Sequence, residues 1–318
     1  MTDAHRGLGA NVTRREVLAA VGALAPANML AADQPSRVGI TIDDVAWAGI
    51  PEPFRIQASE KMLSALRQHG NLRAALFVTG TNVDSAQGRA ILQNWSDQEH
   101  MIANHTWSHA SYHGPIAPTE FGSDILRCDR SIRSFPNFRP YFRFPALKEG
   151  ATPQRRDWMR RFLHQHGYLN GAVTIDASDW YYDQRLRAHL TRDADFDVNR
   201  FREPYLAHIR QRASYYDKLA RRVLVNRPVV HTLLIHFNLL NALFLSDLLK
   251  MFSSREWIMT DAEKAFGDPV FRRQPDTVPA GESLICALAR ETGRFERELR
   301  YPGEDDVYEK PILDRLGL

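Results

Sequence analysis

From residue 37 to residue 266 the chain alternates short apolar runs rich in β-branched and aromatic residues with segments patterned as amphipathic helices. The predicted strands are Val38–Ile42, Ala74–Val78, Met101–Asn104, Tyr141–Phe144, Ala172–Ile175, Thr232–Ile235 and Trp257–Met259. The predicted helices between them are Ile56–His69, Asp84–Trp95, Thr119–Ser134, Pro153–His166 and Leu239–Phe252. Strand and helix in regular alternation imply parallel strands joined by helical crossovers, and about seven such units imply an α/β fold, a distorted (β/α) barrel of about seven parallel strands. In such a barrel, chemistry sits in the loops beyond the carboxyl ends of the strands.

Two regions interrupt the alternation. Residues 181–228 read as a helical insertion dense in arginine, among them Arg185, Arg187, Arg210, Arg212 and Arg221. Asp193, Asp195, Asp197, Glu203 and Asp217 offset much of that charge, so solvated helices are expected rather than an anion-binding patch. Residues 267–318 form a C-terminal extension, rich in Pro and Gly, with one predicted helix over Ser283–Arg294. It would cover an end of the barrel or pack along its side.

Residues 1–32 differ in kind. Paired Arg14 and Arg15 precede a mildly apolar, alanine-rich stretch and then small residues suited to cleavage, a pattern similar to a twin-arginine export signal. Export would make the chain periplasmic; an ordinary amphipathic N-terminal helix is the other reading and would leave it in the cytoplasm. No later run has the ~20 apolar residues that a spanning helix needs, so no stable membrane insertion is expected after signal removal. A formal charge of +3 over 318 residues, without a basic stripe, argues against a nucleic-acid partner. Cys128 and Cys286 exclude a disulfide framework and a cysteine-type zinc site, leaving one bridge or two free thiols. Oligomeric state is not legible.

The predicted strand ends carry polar residues of a particular kind. Asp43 and Asp44 follow the first, in "TIDD", and His105 and His109 follow the third, in "HTWSH". Arg143 and Pro145 follow the fourth, in "RFP"; Asp176 and Asp179 follow the fifth, in "DASDW"; His236 ends the sixth, in "LIH". Adjacent carboxylates repel and raise each other's pKa, so Asp43 and Asp44 call for an opposing charge or a metal unless they only form a turn. A spacing of four puts two imidazoles on one side of a helical turn, near enough to share a cation. With a carboxylate from a neighbouring strand end they make an Asp–His–His set that keeps coordination positions open, as catalytic rather than structural sites do.

These five stretches, in this order and on these strand ends, resemble the five motifs of the polysaccharide deacetylases, carbohydrate esterase family 4 with its nodulation-type homology domain. The resemblance spans residues 41 to 236. It implies a metal-dependent hydrolase that removes N-acetyl groups from an amino-sugar polysaccharide or oligosaccharide. It implies Asp44, His105 and His109 as ligands of a divalent cation, zinc first, with cobalt, nickel or manganese as alternatives. Asp43 would be the general base, oriented and kept ionised by Arg143, and His236 the general acid. Asp179 would hydrogen-bond His236, with Asp176 the other candidate. The Ala146 N–H would help bind the oxyanion, and Trp180 and Leu234 would line the pocket for the acetyl methyl.

This chain departs from the family pattern at three places. Val45 stands where glycine is usual, Ala146 where an aromatic is usual, and Phe237 where aspartate is common. None removes a ligand or a proton-transfer group. They keep open an amide, imide or ester hydrolase acting on a small molecule with the same fold and metal site. A non-catalytic carbohydrate-binding descendant has no need of both a base and an acid.

Overall fold

The computed structural model describes residues 34–255, 257–278, 283–300 and 305–318. The paired arginines and the export-signal reading lie outside the described residues.

Seven strands form one parallel sheet: β1 Arg37–Asp43, β2 Ala75–Val78, β3 Met101–Asn104, β4 Phe138–Phe142, β5 Leu169–Asn170, β6 Val230–His236 and β7 Ile258–Met259. The order is β5-β4-β3-β2-β1-β6, with β7 pairing the start of β1. β1 is central and buried from Val38 onward, which accounts for its nearly unbroken apolar sequence. Each side chain of this kind taken from water contributes roughly 1.5–3 kcal/mol, so β1 anchors the sheet.

The helices that flank the sheet are α1 Glu52–Gln68, α2 Ala86–Asp97, α3 Pro118–Ile132 and α4 Pro153–Gln165. They continue with α5 Asp179–Arg192, α6 Arg202–Val223, α7 Leu239–Ser253 and α8 Ala262–Ala265. α1 and α7 pack on each other. Starts are set locally: Ser85 and Thr152 accept hydrogen bonds from Gly88 N and Arg155 N, and Asn238 accepts one from Asn241 N.

The sheet is curled but incompletely closed. Beyond β5, only Ile175 pairs across to Leu233 of β6, so one bridge joins the two edges. The expected strand Ala172–Ile175 is therefore not a strand. Threonine side chains replace the ladder there: Thr174 Oγ1 accepts from Thr232 N at 2.8 Å, and Thr174 N donates to Thr232 Oγ1 at 3.3 Å. The fourth strand also differs, running over Phe138–Phe142 rather than Tyr141–Phe144. Pro140 cannot donate to the ladder, and the β3–β4 register shifts between Ile102 and Asn104.

The insertion is helical, yet its helices are not simply solvated. α6 buries Tyr205, Leu206, His208, Ile209, Arg212, Ala213 and Tyr216 along one face. Arg212 lies among them, donating to Tyr216 OH at 2.9 Å. Arg221 takes one of the expected acids, Asp217, at 3.0 Å, while Arg187 pairs with Asp183 at 2.7 Å. The C-terminal extension carries α9 Leu284–Glu291, which packs on α6, then α10 Asp305–Tyr308 and α11 Lys310–Arg315. Cys128 and Cys286 are both buried and stand outside any disulfide. Among the described residues no helix is long and apolar enough to cross a membrane.

Candidate active site

Because all the strands are parallel, their carboxyl ends meet at one end of the sheet. Asp43 is in register with Phe77 and with His236, Val78 with Asn104, and Asn104 with Phe142. Polar residues far apart in sequence are gathered there by register alone.

The two neighbouring aspartates face different partners. Asp43, 2% exposed, accepts a hydrogen bond at Oδ1 from Arg143 Nη1 at 2.6 Å. Burial raises its pKa above the ordinary carboxylate value, and the Arg143 charge works against that rise. Asp44 turns away because its backbone is left-handed, with φ 60°, a conformation that aspartate tolerates better than most residues. Its Oδ1 accepts from Thr79 Oγ1 at 2.6 Å, and its Oδ2 lies 3.6 Å from His109 Nε2.

The histidines stand in a turn rather than on the helical turn expected from their spacing. Thr106 and His109 are both left-handed, with φ 70° and 58°. The turn is held by side chains. Asn104 Oδ1 accepts from Thr106 N at 2.9 Å, Thr106 Oγ1 accepts from His109 N at 2.9 Å, and Asp124 Oδ2 accepts from both Trp107 N and Ser108 N at 3.1 Å. The result still brings the two rings together, 5.0 Å between centroids. His105 Nδ1 lies 2.8 Å from Arg143 O, an acceptor only, so Nδ1 carries the proton and Nε2 keeps a free lone pair. Burial, then the His109 charge, lower the His105 pKa to about 3, which keeps that ring neutral.

Ligand atoms of Asp44, His105 and His109 all lie within 4.8 Å of one another. Two imidazole nitrogens and a carboxylate oxygen, with one ring's tautomer fixed, fit a divalent cation such as zinc. Asp43 stands beside this set, its Oδ2 3.5 Å from His105 Nε2.

Arg143 is 1% exposed and satisfies three acceptors from behind the site. Nη1 donates to Asp43 Oδ1 and, at 3.0 Å, to Thr41 Oγ1, while Nε donates to Gly171 O at 2.7 Å. Its guanidinium lies over the Phe77 ring, 3.7 Å from the centroid.

Across the cleft, His236 Nδ1 is 2.8 Å from Asp179 Oδ1. Asp179 Oδ2 accepts from His236 N at 2.8 Å, Asn241 Nδ2 at 2.7 Å and Asn238 Nδ2 at 3.0 Å. Burial alone would lower the His236 pKa; the Asp179 charge and hydrogen bond, with Asp43 and Asp44 beyond, outweigh it and raise the value to about 10. Asp179 stays low despite burial because of His236, and as the first residue of α5 it also faces the positive end of that helix. Asp176, the alternative partner, makes no side-chain hydrogen bond to His236. It lines the cleft, and burial raises its pKa to about 7.

Asp43, Asp44, His105, His109, Ala146, Trp180, Leu234 and His236 line one cavity of about 580 Å³, with Arg143 and Asp179 behind its walls. Ala146 is left-handed, φ 52°, and Leu147 follows at 57°. Trp180 is 42% exposed and Leu234 only 5%. Trp47 lines the same cavity, with the Arg187 guanidinium 4.7 Å from its ring centroid. Phe237 is fully buried, and its N donates to Asp43 O at 2.9 Å. Sequence reasoning missed Thr79, Asn238 and Asn241. Thr79 directly follows β2, so the strand-end criterion used for the other motifs would have found it.

The polysaccharide deacetylase family model matches residues 31–168. No curated protein sequence matches the chain. Among solved structures, the chitin deacetylase of the fungal pathogen Colletotrichum lindemuthianum superposes with TM-score 0.50 at 18% identity, over 74% of this chain and 90% of that one. A family 4 carbohydrate esterase pseudoenzyme from Bacillus anthracis gives 0.49 at 16% identity, over 74% and 66%. The peptidoglycan deacetylase PdaC from Bacillus subtilis gives 0.47 at 17%, over 73% and 91%. At 18% identity the superposition on the chitin deacetylase speaks to the fold alone, while the family match covers the strand ends that carry Asp43, Asp44, His105, His109 and Arg143. Over residues 31–168 the chain is homologous to the polysaccharide deacetylases.

Proposed function

We propose that the chain is a metal-dependent hydrolase that removes the N-acetyl group from an amino sugar of a glycan, releasing acetate and a free amine. The observation that carries this reading is a single cavity lined by the Asp44–His105–His109 set together with one buried carboxylate, Asp43, and one carboxylate-bound imidazole, His236. A base and an acid beside one cation site are what amide hydrolysis requires and what a binding module does not. A divalent cation held there supplies a Lewis acid and brings the pKa of a water toward neutrality.

The chain's own residues do the rest. Asp43 takes the proton of the attacking water, and its raised pKa makes it a stronger base than a solvated carboxylate. Arg143 fixes which oxygen of Asp43 faces the cleft by holding the other at 2.6 Å. The Ala146 N–H, hydrogen-bonded to no described residue, is free to donate to the developing oxyanion. His236 gives its proton to the leaving nitrogen, with Asp179 holding Nδ1 so that Nε2 serves the substrate. Trp180 and Leu234 bound the space for the acetyl methyl. Zinc is the proposed metal. The paired arginines near the N-terminus support export, which would bring the enzyme to envelope glycans.

The test is acetate release by chelator-treated protein, with and without added zinc, from chito-oligosaccharides and from simple acetamides. Zinc-dependent release from the glycan is expected. Release from acetamides alone would move the substrate to small molecules, and release from neither would end the deacetylase reading.

A further inference from the structure

The insertion and the C-terminal extension could have been parts of the substrate groove. Of the insertion, Asp183 on α5 lines the cavity, but among the described residues no position in 193–228 or 267–318 does. They meet behind it instead, at two buried residues on one face of α6, and the contacts of both lead to Asp179.

His208, 4% exposed, accepts a hydrogen bond at Nε2 from Ser178 N at 2.9 Å. A nitrogen that accepts carries no proton, so Nδ1 carries it and donates to Glu309 Oε2 at 3.1 Å. Glu309, 1% exposed, is held in turn by Tyr182 OH at 3.1 Å and by the Arg300 guanidinium. Burial, followed by the charges of Arg212 and Arg300, lowers the His208 pKa to about 3, consistent with a neutral ring fixed in one tautomer. Three residues earlier on α6, Tyr205 OH donates to Asn241 Oδ1 at 2.5 Å. Asn241 Nδ2 passes that constraint to Asp179 Oδ2 at 2.7 Å and to His236 O at 2.9 Å. Ser178 immediately precedes Asp179, so the loop is held from two directions.

We infer that α6 and the C-terminal extension brace the proton-donating half of the site, with His208, oriented by Glu309, and Tyr205 acting as positioning residues for the Asp179–His236 pair. The inference rests on the deacetylase reading for its catalytic consequence, not for its geometry.

The experiment uses the full chain loaded with zinc. His208→Phe keeps the ring that packs on Tyr182, 4.9 Å between centroids, and removes the acceptor. It should lower kcat on an N-acetylated oligosaccharide about tenfold, as loss of one buried hydrogen bond does, with KM, zinc content and hydrolysis of an activated acetate ester unchanged. The His236 Nδ1 proton, followed by NMR of ¹⁵N-histidine-labelled protein, should lose its strongly hydrogen-bonded shift, and His208→Gln should restore much of both signals. Tyr205→Phe, which removes only a hydroxyl, makes the same test should His208→Phe not fold. Wild-type kcat together with a wild-type His236 resonance overturns the brace, as does equal loss on amide and ester. If the wild-type chain releases no acetate while the His236 resonance still responds to His208→Phe, the brace stands and the deacetylase reading falls.

Discussion

One carboxylate fixes both the position and the ring orientation of His236: Asp179 accepts the His236 backbone N–H through Oδ2 and binds the ring Nδ1 through Oδ1, each at 2.8 Å. In the proposed reaction, a proton donor held at two points would lose little freedom on meeting the leaving nitrogen.

Asp179→Asn should therefore cut hydrolysis of an N-acetyl substrate by roughly 10²–10⁴, the usual contribution of a positioned acid. Activated acetate esters, whose leaving group needs no proton, should lose far less. Steady-state rates on the two substrates check this; an equal loss on both would assign Asp179 to folding rather than to proton transfer.

Arg143 and Asp43 form a buried ion pair, and removing one member leaves a charge without its partner. Arg143→Met should lower unfolding free energy by about 3–5 kcal/mol in urea titration. The double variant Asp43→Asn with Arg143→Met should recover most of that loss while remaining inactive. A double variant no more stable than Arg143→Met would mean that packing, not charge, dominates there.

Metal content should separate the two aspartates. His105→Ala should leave the protein without zinc by elemental analysis, and Asp43→Asn should bind zinc but not turn over. Thr79→Val, which strips the hydroxyl from Asp44 Oδ1, should weaken zinc binding about 10–100-fold in competition with a chelator. Undiminished affinity would show that Asp44 needs no such support.

Acid should destabilise the fold through two buried neutral histidines outside the metal set. His100 accepts Ala74 N at 3.0 Å, and burial, then the charges of Arg73 and Arg67, lower its pKa to about 3; His208 is lowered to the same value. Unfolded, each binds a proton near pH 6.5. Between those values the unfolded chain binds more protons, so stability is full above about 6.5 and falls as pH drops toward about 3, at most ~1.4 kcal/mol per pH unit for each ring. Tm measured from pH 7 to 4 should fall less steeply in His100→Gln than in the wild type.

Much of this arrangement was legible because each motif sits at the end of an apolar run, and parallel strands bring their ends together whatever the distance in sequence. Asp43, Asp44, His105, His109, Arg143 and His236 were picked out by that rule, and strand register gathers them at one end of the sheet. The geometry of the histidine turn was not, because a spacing of four is helical only if the backbone is, and Asn104, Thr106 and Asp124 bend it otherwise. Nor was the segment after β5, where threonine hydroxyls stand in for a ladder that period-two patterning would need. The burial of α6 was hidden by its arginines: Arg212 lies inside the protein, stacked near Tyr215 and Tyr216 at 4.8 Å from each ring centroid, and charge counting cannot tell such a residue from a solvated one.

Among the described residues one bridge, Ile175 with Leu233, joins the two edges of the sheet. Asp179 lies four residues past that seam, on a segment outside the ladders, whereas His236, like Asp44, His105 and His109, ends or follows a strand paired along its length. Substitution near Ile175 would therefore bear on the angle at which Asp179 meets His236 and leave untouched the ladders that lead to Asp44, His105 and His109.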